Sequence, residues 1–220
     1  MAVEVYPQVP LVHEELEPGV MLDRAGNLLA AMQRRRSVRE FSDQPVPREL
    51  IEHAIATAGT APSGAHREPW HFVAISRAEL KSEIRKAAEA EEKESYTRRM
   101  PEAWLKAIAP LGTDWRKPFL EIAPWLVVCF AKNTGDDRLK NYYVQESCGI
   151  ACGFFIAAVH HMGLVTLTHT PSPMGFLQRI LGRPRNERAY MLFPVGYPAP
   201  GATVPVLERK PLEALVSWHE

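Results

Sequence analysis

The sequence predicts an α/β or α+β layer fold, and three observations carry the prediction. Short β-rich runs at residues 70–75, 125–130, 164–168 and 191–195 alternate with longer segments of helical periodicity. The 220 residues are 46% apolar, enough to build the core of one medium-sized domain around such a sheet. The longest apolar stretch, residues 150–159, is about half of the roughly 20 residues a bilayer-spanning helix needs, so no membrane segment is expected. Acidic and basic residues balance at 26 each, which leaves no global field to hold the chain on nucleic acid or on an anionic membrane.

The elements follow in order. Residues 1–22 are acidic and Pro-containing, with no basic stretch leading into an apolar block, so they read as an extended arm and not as a secretory signal; a cytoplasmic location is the default. Leu28, Leu29 and Met32 predict a short helix over 27–35 that runs into the basic cluster Arg34, Arg35, Arg36. Pro47 opens a second helix, carried by Leu50, Ile51, Ala54, Ile55 and Ala58 and stopped at Gly59. The breaker-dense residues 61–65 then form a tight loop into the strand at 70–75. Residues 78–94 are a charged helix with a narrow apolar stripe at Leu80, Ile84 and Ala87, and the Trp- and Pro-containing residues 96–118 read as an irregular, mobile cover. A continuous apolar run makes 125–130 a buried strand, and 142–162, apolar on nearly all faces, a central helix. Strands at 164–168 and 191–195 complete a small sheet, and a helix over 173–181 ends at Gly182. The Pro-rich residues 197–220 form a second arm, and arms with little core of their own call for another subunit, hence a homodimer.

Two segments suggest chemistry. Arg34, Arg35, Arg36 and Arg39, with Ser37, place four forked guanidinium groups and a hydroxyl in six residues, a set that matches a phosphate or simply a solvated basic face. Arg209 and Lys210 would join it if the fold brings the chain ends together. Pro62, Ser63, Gly64, Ala65 and His66 form a loop of small residues that lets a ligand approach backbone N–H groups, with Gly64 free to adopt conformations other residues avoid. Cys129, Cys148 and Cys152 are too few and oddly spaced for a disulfide framework; they read as reduced core thiols, and neither they nor His53, His160 and His161 have partners at metal-ligand spacing.

Taken together, residues 35–39, 57–66 with Glu68-Pro69-Trp70, 163–166, 194–198, 202–205 and 209–212 resemble, in collinear order, the nitroreductase superfamily and within it the iodotyrosine deiodinase family, over about residues 34–215. The resemblance implies an α+β nitroreductase-like fold: a central mixed β-sheet flanked by helices, with N- and C-terminal arms exchanged in a homodimer whose two active sites lie at the interface. It divides the chain into an arm (1–24), an FMN-binding domain (25–198, with a lid at about 90–118) and a dimer-embracing extension (199–220).

The same resemblance implies FMN as cofactor, its phosphate, ribityl chain and ring edge held by Arg35, Arg36, Ser37 and Arg39, with Arg209 also on the phosphate. Pro62, Ser63 and Gly64 would line the flavin from the other subunit. Thr168 would donate to flavin N5, favouring single-electron steps over hydride transfer, and Thr170 would sit nearby; the family more usually carries a third threonine where His169 stands. Glu92, Tyr96 and Lys117 by themselves are ordinary surface residues. In the deiodinases a Glu, a Tyr four residues on and a Lys in a Trp-x-Lys segment close over the substrate, and all three are here in register. One carboxylate, one ammonium and one hydroxyl complement an amino-acid zwitterion, with the phenolate of a halotyrosine on the Ala65 N–H. Reduction in two one-electron steps would then expel halide and leave tyrosine. A general FMN nitro- or quinone reductase using NAD(P)H would have no need of this trio, and a non-catalytic flavin-binding module would need neither Thr168 nor a lid. The chain has no G-x-G-x-x-G fingerprint, so electrons would come from a separate reductase or from NAD(P)H bound without it.

Overall fold

The computed structural model describes residues 6–220, so the first five residues of the expected N-terminal arm lie outside it. The chain divides into two units after Arg35. The first holds α1 (Pro18–Arg34), which begins well before the short helix expected at 27–35. Pro18 stands in its first turn, where a fixed φ is already helical and the missing N–H has no partner to lose, and so it starts the helix that the acidic, Pro-containing composition seemed to rule out.

The second unit is built on four strands: β1 (Trp70–Ile75), β2 (Trp125–Lys132), β3 (Val165–Thr166) and β4 (Glu187–Gly196), ordered β1-β2-β4-β3 with every pair antiparallel. The parallel part of the expected mixed sheet is one bridge, Ser37 to Thr166, where the Val38 N–H donates to the Thr166 carbonyl at 3.2 Å. The helices are α2 (Arg48–Gly59), α3 (Ala78–Glu94), α4 (Glu102–Ile108), α5 (Phe119–Ile122), α6 (Val144–His161) and α7 (Gly175–Ile180).

The alternation of β2 explains its unbroken apolar sequence. Leu126, Val128 and Phe130 pack with Ile84 and Ala88 of α3, Leu120 of α5 and Leu177 of α7. Val127, Cys129 and Ala131 pack on the other face with Ile51 and Ala54 of α2 and with Cys148, Cys152 and Phe155 of α6. Because helices cover both faces, both alternating sets must be apolar, although the pairing is antiparallel.

Several boundaries differ from expectation, β4 among them, which starts at Glu187 and not at 191. Residues 96–118 are largely helical, with a π-helical turn (Ser95–Arg99), α4 and a 3₁₀ turn (Ala109–Leu111). The Met100 N–H reaches back to the Ser95 carbonyl at 2.9 Å, and Pro101 caps the next helix, so the prolines here start and stop turns without unravelling them. Of the strand expected at 164–168 only Val165–Thr166 pairs continuously, followed by a separate bridge from His169 to Leu192. The helix expected at 173–181 is confined to Gly175–Ile180. Beyond β4 the tail is mostly extended, with one 3₁₀ turn at Leu212–Ala214, and leaves Val206, Leu207, Leu215 and Trp218 exposed. Among the described residues no helix is long and apolar enough to cross a membrane.

Candidate active site

The last turn of α3 carries Glu92, its π-helical continuation carries Tyr96, and the loop before α5 carries Lys117. Separated by up to 25 residues in sequence, they meet at one cavity of about 410 Å³, within the range of roughly 300–1,000 Å³ typical of small-molecule sites. Thr168, His169 and Thr170 form its opposite wall, Arg39 lies at one edge, and Met100, Trp104 and Ile108 supply an apolar side.

Lys117 is 3% exposed, and its ammonium lies 3.6 Å from the Glu92 carboxylate. It donates to Thr113 Oγ1 at 3.2 Å and to the Asp114 carbonyl, and sits 5.4 Å from the centre of the Tyr96 ring. The Tyr96 hydroxyl donates to the Thr113 carbonyl at 3.4 Å. Burial raises the Glu92 pKa above the usual carboxylate value and lowers that of Lys117, while each partner's charge opposes the shift of the other. Two ions taken from water are thus stabilised in part by one another, with Thr113 and the Asp114 carbonyl as further partners of Lys117.

The bridge between His169 and Leu192, with N–H···O distances of 2.8 and 3.0 Å, holds the threonine turn extended. Period-two geometry then exposes Thr168 and Thr170 toward the cavity and buries His169 between them, edge-on to Phe119 at 5.6 Å. Where a third threonine would be small and polar, His169 fills volume. Its pKa falls to about 3, through burial first and then the cations Lys117 and Arg39, so the imidazole is neutral; its Nε2 is buried with no hydrogen-bond partner among the described residues. Two hydroxyls, a guanidinium and an orphaned imidazole nitrogen around one cavity suit a polar, flat cofactor with an anionic arm.

The basic segment meets the tail. The Arg36 guanidinium donates to the Pro205 carbonyl, and the Thr203 N–H donates to Glu40 at 2.6 Å. Ser37, Arg39 and Pro205 line a second cleft of about 320 Å³, and Arg39 borders both clefts. Arg35 is the C-cap of α1, its N–H on the Met32 carbonyl. Arg209 lies further along the tail, exposed and lining neither cleft.

Pro62, Ser63, Gly64 and Ala65 line neither cleft. The left-handed backbone expected at Gly64 falls instead on Ala65 (φ 48°), His66 (φ 52°) and Glu68 (φ 44°), each at a cost on the order of 1–2 kcal/mol. Gly64 instead leaves room for a neighbour: a Cβ there would stand 3.0 Å from the Tyr143 ring, which would have to give way by a few tenths of an ångström. The strained turn is held by Ser63 Oγ, which accepts the Glu68 N–H at 2.9 Å, and by Arg67, whose guanidinium grips both oxygens of Asp137 at 2.7 Å. The three cysteines are buried and unbridged, and Cys148 and Cys152 beside it push the Cys129 thiol pKa up.

Sequence reasoning left out Thr113, which receives both Lys117 and Tyr96, and the apolar wall from Met100 to Ile108. The spacing of Met100, Trp104 and Ile108 at steps of four is the signal that an irregular reading of this segment hid.

Residues 32–197 match the Nitroreductase family. Similar proteins include the iodotyrosine deiodinase of Haliscomenobacter hydrossis, 55% identical over 94% of this chain and 96% of that one. Iodotyrosine deiodinase 1 of Homo sapiens is 42% identical over 94% of this chain and 74% of its own. A crystal structure of oxidized iodotyrosine deiodinase bound to FMN and 3-iodo-L-tyrosine superposes with a TM-score of 0.75 at 27% identity, covering 88% of this chain and 99% of that one. The chain belongs to the nitroreductase family and, within it, to the iodotyrosine deiodinase group.

Proposed function

We propose that this protein is an FMN-dependent reductive dehalogenase of halogenated tyrosine, acting on mono- and diiodotyrosine and on bromo- and chlorotyrosine. The observation that carries the reading is the buried Glu92–Lys117 pair with Tyr96, facing Thr168 and Thr170 across one cavity. A neutral quinone or nitroaromatic offers an acceptor to the ammonium but no cation to the buried carboxylate, whereas an amino-acid zwitterion offers a charged partner to each. Its ammonium would go to Glu92, its carboxylate to Lys117, and the pair that stabilises itself in the free chain would become two charge-assisted contacts, each contributing about 1.5–3 kcal/mol.

The donors that line the two clefts, Ser37, Arg39, Thr168 and Thr170, suit a flavin. Arg35, Arg36, Ser37 and Arg39 would hold its phosphate, ribityl chain and ring edge, with Arg209 on the phosphate from the tail. Thr168 would hydrogen-bond N5, with Thr170 beside it. Reduced FMN supplies two electrons at the substrate ring. The reaction takes up these electrons and one proton, breaks the carbon–halogen bond, forms a carbon–hydrogen bond and releases halide. Ala65 of the partner subunit, on the same turn as Gly64, would hold the substrate phenolate through its N–H, and the lid of Glu92, Tyr96 and Lys117 would keep water out while orienting the ring.

The working unit in this reading is a homodimer with active sites at the interface, flavin being covered by Pro62, Ser63 and Gly64 of the partner subunit. The position of this strained turn outside both clefts of its own chain supports the arrangement. Electrons would come from a separate reductase or from NAD(P)H, and buried unbridged cysteines accord with the cytoplasm.

The test is anaerobic reaction of the dithionite-reduced, FMN-loaded protein with 3-iodotyrosine. Stoichiometric iodide and tyrosine are expected. A flavoprotein that releases neither, yet oxidises NADPH with nitroaromatics, would be a general reductase.

A further inference from the structure

The polar face of α3 extends beyond the clamp. Ser82, Arg85, Glu89, Glu92 and Tyr96 follow at steps of three and four, which sets them in one row along α3 and its π-helical continuation. The upper end of the row, Glu92 and Tyr96, meets the Lys117 side chain. The lower end grips the same residue by its main chain: one oxygen of Glu89 accepts the Lys117 N–H at 2.7 Å and Arg85 Nε at 2.7 Å. The other arm of Arg85 reaches the Glu121 carboxylate in α5 at 2.6 Å. All three side chains are partly shielded from water, with 18% of Glu89 exposed.

The division of labour matters because Lys117 is asked to change partners. When a ligand carboxylate takes its ammonium, the side-chain contact with Glu92 loosens, and a loop anchored only through that contact would move with it. The next residue is Pro118, which has no N–H to offer, so the Lys117 amide is the last donor before α5. Its bond to Glu89 does not depend on where the ammonium goes. We infer that Glu89, held in turn by Arg85, is a positioning residue for Lys117, keeping the main chain in place while the ammonium transfers from Glu92 to the carboxylate of the substrate. Sites of this kind need their groups placed to within about 0.5 Å, which a charge-assisted bond to backbone can secure and a free loop cannot. The inference rests on the halotyrosine reading.

The experiment compares FMN-loaded wild type, Glu89→Ala and Glu89→Gln by titration with 3-iodotyrosine, by FMN affinity and by hydrogen exchange at the Lys117 amide. Glu89→Ala is expected to weaken 3-iodotyrosine binding about fivefold to tenfold, speed exchange at Lys117 and leave FMN affinity unchanged. Glu89→Gln, which keeps the acceptor oxygen, should recover most of the binding. Arg85→Met should move both readouts the same way by less, and it decides the matter if Glu89→Ala does not fold. Unchanged substrate affinity in folded Glu89→Ala, or parallel loss of FMN and 3-iodotyrosine, overturns the assignment. If wild type binds no 3-iodotyrosine, the halotyrosine reading falls instead, and exchange at Lys117 alone decides whether Glu89 positions it.

Discussion

Lys117 is anchored by Glu92, Thr113 and Asp114, and beside the neutral His169 the cavity is also lined by the cations Arg39 and Arg99. Lys117→Ala or Glu92→Gln should weaken 3-iodotyrosine binding by about tenfold or more, equivalent to about 1.4 kcal/mol, with flavin absorbance retained; a titration followed through the flavin spectrum measures both. His169 makes a separate prediction. The folded protein keeps it neutral down to about pH 3, whereas in the unfolded chain it takes a proton below its ordinary 6.5. The unfolded state therefore binds the extra proton between those values, and this contribution to stability, full above pH 6.5, is lost as pH falls through the window. Denaturant titrations at pH 7 and about pH 4 should show wild type losing more stability than His169→Thr, by on the order of 2–3 kcal/mol.

Between elements, the contact most open to test is the one joining α3 to the end of α5. Lys81, 7% exposed, donates to the carbonyls of Glu121 and Ala123 at 2.9 and 2.8 Å, satisfying the C-terminal end of a one-turn helix that could not stand alone. Lys81→Met keeps the apolar stem and strands both carbonyls, at about 1–3 kcal/mol each. Melting of the FMN-loaded variant should fall by about 4–24 °C, a shift read directly by calorimetry. Composition alone marks Lys81 as a surface charge of α3; its burial follows from α5 folding back over that turn, which no local pattern announces.

At the scale of the molecule, α6 accounts for its own apolar composition only in part. Cys148, Cys152, Phe155 and Val159 face the sheet, while Ile150 (41% exposed) and Phe154 (39%) face outward. In the proposed homodimer a second copy covers them. Phe154→Glu should yield a monomer by sedimentation that keeps its circular dichroism and loses FMN, since flavin would lack the turn from the other subunit. A variant that stays dimeric and yellow would remove α6 from the interface.

The sequence by itself determined most of the elements and the residue types that the cavity would draw on. The unbroken apolar run of β2, periods of three and four in α2 and α3, and the types at Glu92, Tyr96 and Lys117 are local facts, set by backbone sterics and by which side chains can carry charge. Pro18 shows the limit on that scale, because a proline that ends one helix begins another, and here it stands in the first turn of α1. The tertiary structure alone decided that Glu92 and Lys117 meet, that His169 turns inward between two outward threonines, and that Ala65 and not Gly64 takes the left-handed backbone. It also decided that the lower row of α3 holds the Lys117 main chain. These are long-range outcomes: each depends on which layer covers a residue after the sheet has closed, and burial, not residue type, then fixes charge state, orientation and partner.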